Sequence, residues 1–66
     1  MRAPLRSEVE RLARAIGLSV SSPHQALGSW RATVYRNDRA YETLEGESRD
    51  DVYHQLRGWL LARGAA

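Results

Sequence analysis

Apolar and polar residues recur with two different periods along this chain. Leu5, Val9, Leu12 and Ile16 are spaced by four, three and four residues, the stripe of an amphipathic helix. Pro4 suits a first helical turn, where its missing N–H costs nothing. Gly17 supplies a left-handed stop. The pattern predicts a helix over residues 4–16, with Arg6, Glu10 and Arg14 on its wet side at i, i+4 spacing. Leu18 and Val20 then alternate with Ser19 and Ser21, a short strand. Residues 22–28, with Pro23 as a breaker, are expected to form a loop.

Residues 29–45 carry the period of two. Asn37 and Asp38 tolerate the positive φ of a two-residue turn, so this stretch predicts a β-hairpin. Such a turn pairs Arg36 with Arg39, Val34 with Tyr41 and Ala32 with Thr43. Trp30, Ala32, Val34, Tyr41 and Thr43 then share one face. Arg31, Thr33, Tyr35, Ala40, Glu42 and Leu44 take the other. The first face bears the larger apolar load and is expected to meet the helices. Leu44 is the misfit, and a bulge near Thr43 would turn it inward.

Gly46 breaks the strand, and Ser48 is a good N-cap with Asp51 three residues on, as in a capping box. Asp50 and Asp51 also suit the positive end of a helix dipole. Val52, Leu56, Trp59 and Leu60 form the next stripe, covering about 120° of a helical wheel with Tyr53 at its edge. His54 and Leu61 fall away from it, and Arg63 with Gly64 ends the helix. The order is helix, three strands, helix. The expected fold class is α+β, α-β-β-β-α, with two helices packed on one face of a three-stranded antiparallel sheet. The other sheet face is left open to water or a partner.

Length and composition narrow what such a fold does. The 66 residues allow one domain, residues 1–66, and one small core. A chain this short buries about 60% of the surface its unfolded form exposes. Met1 and the helix stop near the end suggest a complete small protein. With no cysteine, disulfides and thiolate sites are excluded. His24 and His54, with scattered carboxylates, suggest no metal or cofactor. Association with a protein partner or a second copy is the remaining source of support. No apolar run approaches the ~20 residues of a membrane span, and no apolar signal segment follows Arg2. A cytoplasmic protein with no membrane partner is expected. There is no phenylalanine, so Trp30, Tyr41, Tyr53 and Trp59 are expected to supply the bulk of the core.

All ten basic residues are arginine, consistent with a high-GC genome and also suited to phosphate contacts. Residues 1–36 carry six arginines against Glu8 and Glu10, a balance of +4. Residues 37–66 carry four against six acids, a balance of −2. Arg2, Arg6, Arg11 and Arg14 lie on the first helix or just before it. Arg31, Thr33, Tyr35, Arg36 and Arg39 form the candidate binding surface, on the outer strand face and the turn. A tyrosine among arginines can stack a base and neutralise phosphate. An open sheet face or exposed strand edge equally suits a protein partner. No set of acid, base and nucleophile stands out. The expectation is a non-enzymatic interaction module, with nucleic-acid binding as the alternative.

The α-β-β-β-α order resembles the double-stranded-RNA-binding domain over nearly the whole chain. That family grips phosphates with basic residues at the start of its last helix, where this chain has Ser48-Arg49-Asp50-Asp51. The helix ending in Gly17-Leu18 and the Gly28-Ser29 lead into a strand also look like HicA-type bacterial RNase toxins. Trp30 stands where those toxins carry their catalytic histidine. Residues 41–60, with Gly46, Ser48 and an acidic first turn, look like the strand-turn-helix of HicB-type antitoxins. These resemblances suggest a bacterial or phage interaction protein without nuclease chemistry.

Overall fold

The computed structural model describes residues 5–65, in the order α1 (Leu5–Ala15), β1 (Ser19–Val20), β2 (His24–Ala26), β3 (Ser29–Arg36), β4 (Arg39–Gly46) and α2 (Arg49–Ala62). The roles expected of Arg2 and Pro4 fall outside these residues. The fold is α+β, with one open antiparallel sheet and two helices. The sheet has four strands rather than three, because part of the expected loop at 22–28 is β2.

β3 is the central strand. β4 runs along one edge of it, pairing from Trp30 opposite Gly46 to Arg36 opposite Arg39. β1 and β2 lie end to end along the other edge, with Val20 opposite Val34 and His24 opposite Arg31. Four steps on that edge therefore match three on β3, and the extra residue makes a bulge at Pro23. Ser21 holds the strand together there. Its N–H donates to the Thr33 carbonyl at 2.9 Å, and its Oγ accepts from the Thr33 N–H at 2.9 Å.

The hairpin turn is as expected, with Asn37 and Asp38 at φ +52° and +64°. Its register is not. A second bulge falls at Tyr41, so Val34 faces Glu42, Thr33 faces Thr43 and Ala32 faces Leu44. The expected pairs Val34–Tyr41 and Ala32–Thr43 do not form. Thr43 moves to the outer face and Leu44 turns inward against the core. The expected bulge is real but sits two residues nearer the turn. There it lets Tyr41 and Leu44, three residues apart, both face the helices.

Both helices end in the same way. Gly17 and Gly64 take positive φ, +74° and +92°. Leu18 N–H then donates to the Ala13 carbonyl and Ala65 N–H to the Leu60 carbonyl, closing each last turn. Leu18 and Ala65, the residues just beyond, are buried. At its start α2 is capped by Ser48 Oγ, which accepts from Asp51 N–H at 3.0 Å. The Asp51 carboxylate reaches back to Glu47 N–H at 2.9 Å, one residue before the position that a capping box uses.

The core lies between the helices and the inner sheet face. Its fully buried bulk is aliphatic: Leu56, Leu60, Val9, Val34 and Val52. The aromatic expectation is corrected here. Tyr53 is buried, but Trp30 and Trp59 are only half-buried and Tyr41 is 50% exposed. The large rings roof the rim of the core, because the space between two short helices and a three-strand-wide sheet is filled by branched aliphatics. An ion pair between Glu8 and Arg57 ties the two helices across their exposed side.

Candidate functional site

The five residues singled out in the sequence do not form one surface. Arg31, Thr33 and Tyr35 alternate along β3 on the sheet face that carries no helix. Arg36 and Arg39 close the ladder as its last pair. By strand alternation they belong with Val34, on the helix side.

The open face is largely neutral, and two of its polar pairs meet across β3 and β4. Thr33 and Thr43 hydroxyls lie 3.2 Å apart across β3 and β4. Arg31 Nε lies 3.2 Å from Glu45 Oε1. That N–H is shielded from water yet not aligned on the carboxylate, so the contact is an ion pair by proximity. Ser19, Ser21 and His24 stand opposite Tyr35, Thr33 and Arg31 on the other edge. The result is a surface of hydroxyls with one half-buried tyrosine, one internal ion pair and the exposed His24 at its edge.

Leu27 stands at the end of this sheet. It forms a two-residue turn with Gly28 between β2 and β3, with φ +51° and +80°. Gly28 takes such a conformation cheaply, but leucine does not. Leu27 is also 94% exposed. It therefore combines backbone strain with an uncovered apolar side chain, and neither is repaid within the described residues.

A second group gathers on the helix side at the hairpin tip. Tyr41 meets Trp59 of α2 edge to face, with centroids 5.8 Å apart. The Arg63 guanidinium lies 3.9 Å from the Trp59 ring centre and 5.9 Å from that of Tyr41. Tyr41 also lines a shallow hollow with Arg36, Asn37, Arg39 and Ala40. None of Arg36, Arg39 and Arg63 has a carboxylate within ion-pair distance among the described residues.

At the far end of the hairpin, Arg49 sits over Trp30 at 5.4 Å. The two histidines lie on different elements, His24 on β2 and His54 on the exposed side of α2. Among the described residues no three His, Cys, Asp or Glu side chains gather where they could hold a metal ion. No described helix is long and apolar enough to cross a membrane.

Leu27, Trp59 and Arg63 were not legible as surface features in the sequence. Gly28, just before the alternating stretch that begins at Ser29, was the available signal for a turn at Leu27. Trp59 lies on the apolar stripe of α2, a position that marks it for the core rather than for the rim. No family model, curated protein or solved structure matches this chain.

Proposed function

We propose that this protein is a non-enzymatic interaction module that assembles with a second copy of itself through its open sheet face. Leu27 carries the reading. A leucine at φ +51° that is almost fully exposed raises the free energy of the isolated chain twice, once in backbone strain and once in uncovered apolar surface. Contact with a partner offsets the second cost and gives a reason for the first. Strained residues of this kind cluster where proteins meet their ligands.

The chemistry of the face favours another copy as that partner. Its one arginine is already neutralised by Glu45, so two copies approach without opposing like charges. Covering an ion pair that is already formed is also cheaper than burying a lone charge. The hydroxyls of Ser19, Thr33 and Thr43 supply donors and acceptors that are complementary to themselves. Both long edges of the sheet are bulged, at Pro23 and Tyr41, which blunts edge-to-edge pairing. Association therefore proceeds face to face.

Sedimentation or light scattering over a concentration series tests this. The wild-type chain should shift from monomer to dimer as concentration rises. Leu27→Asn, which suits the turn and removes the apolar knob, should move the midpoint to higher concentration. Thr33→Arg, which puts an unpaired charge in the centre of the face, should do the same. A wild-type chain that stays monomeric at millimolar concentration overturns the reading, as does a dimer indifferent to both substitutions.

A further inference from the structure

We infer that the corner formed by Arg36, Arg39, Tyr41, Trp59 and Arg63 is a binding site for single-stranded nucleic acid. This site lies on the helix side of the sheet and does not depend on assembly through the opposite face.

Three observations converge on it. The first is charge. Arg36 and Arg39 are directly opposed across the hairpin, and like charges in that position repel. Among the described residues neither has a carboxylate partner, so an anion seated between them would relieve the repulsion. The second is aromatic surface. Tyr41 is half exposed and lines the same hollow as the two arginines. Its ring is fixed by the edge-to-face contact with Trp59, so a base stacking on it orders little that is not already ordered. The third is Arg63. Its guanidinium carbon lies 3.9 Å from the centre of the Trp59 ring, a cation–π contact that needs no hydrogen bond from the group, and a planar fork of N–H donors suits a second phosphate.

Arginines next to one exposed ring, Arg36 and Arg39 in the same hollow and Arg63 at 5.9 Å from the ring centre, match a backbone that alternates phosphate and base. A duplex keeps its bases stacked internally and offers nothing to Tyr41. A phosphorylated peptide would use the arginines but not the ring. The chemistry therefore selects an unpaired strand.

Fluorescence anisotropy with a labelled mixed-sequence twelve-nucleotide strand tests this, with the same sequence as a duplex for comparison. The wild-type chain should bind the single strand more tightly than the duplex, with affinity falling as salt rises. Arg36→Ser with Arg39→Ser should weaken binding about tenfold at low salt and flatten the salt dependence by about 1.4, the loss of two single-strand phosphate contacts. Tyr41→Leu, which keeps apolar contact with Trp59, should weaken the single strand and leave the duplex unchanged. Arg11→Ser with Arg14→Ser removes the same charge from α1 and should have a much smaller effect. Circular dichroism melts confirm that each variant is folded. Absence of binding at low salt overturns the inference. So does equal loss from the α1 pair, or a Tyr41→Leu variant that binds the single strand as wild type does.

Discussion

Ser21 and Thr33 exchange two hydrogen bonds, one of which runs to a side chain where a regular ladder would use a carbonyl. Ser21 Oγ accepts the Thr33 N–H at 2.9 Å, and the Thr33 carbonyl accepts the Ser21 N–H at 2.9 Å. The exchange lets the edge strand bulge at Pro23 without leaving the central strand's N–H unpaired. Ser21→Ala removes the acceptor and is expected to lower stability by about 1–3 kcal/mol. Ser21→Thr keeps the hydroxyl and should cost much less. Urea unfolding of the two variants beside wild type makes the comparison, and equal losses would show that the hydroxyl is not what matters.

Gly46 and Gly58 are expected to respond to alanine in opposite directions. A Cβ on Gly46 would lie 2.6 Å from Asp51 Oδ2 and 3.0 Å from Val52 N, inside the junction of β4 and α2. Gly46→Ala must displace the carboxylate that accepts from Glu47 N–H, or shift the start of the helix. A loss of about 1–3 kcal/mol is expected, the range for overpacking. Gly58 lies within α2 with nothing within 4 Å of a built Cβ. Gly58→Ala should stabilise by about 0.5–1 kcal/mol through helix propensity alone. Thermal melts of both variants check the pair of signs.

These junctions show which features a sequence exposes. The stripe of Val9 and Leu12, the stripe of Val52, Leu56 and Leu60, and the Ser48 cap follow local rules, and each is found where the periodicity places it. The Asn37-Asp38 turn is equally local. The register of β4 is not, because the bulge that turns Leu44 toward the core answers to packing against the helices, which the strand's own alternation does not show. β2 escaped because three residues beside a proline carry no period of their own. The candidate surface divides for a separate reason: Arg36 and Arg39, grouped with it as residues of the turn, line a hollow with Tyr41, and Arg31 is taken up by Glu45. No sequence rule places Leu27 at positive φ, since that position usually selects asparagine or glycine.

Leu27→Asn should stabilise the monomer even as it weakens self-association. Asparagine enters the left-handed region more readily than leucine, and the side chain lost has almost no contacts to forfeit. A gain of about 1 kcal/mol is expected on the scale of that backbone preference. Unfolding at low concentration, where the proposed dimer would be dissociated, isolates this term. A variant less stable than wild type there would show that Leu27 contributes within the single chain.

Leu56→Ala and Trp30→Ala separate the core from its rim. Leu56 has no exposed surface and lies at the centre of the packed cluster. Truncating it should cost about 2–5 kcal/mol. A domain of this size is held by only about 3–10 kcal/mol, so much of the variant population should unfold near room temperature. Trp30 is larger, yet only half-buried, with the Arg49 guanidinium over its ring. Its truncation removes partial burial and one exposed cation–π contact, an expected loss of about 1–2 kcal/mol, and the chain should stay folded. Circular dichroism at 25 °C distinguishes the two. If Trp30→Ala unfolds the chain while Leu56→Ala does not, the aliphatic cluster is not the seat of stability and the rings at the rim are.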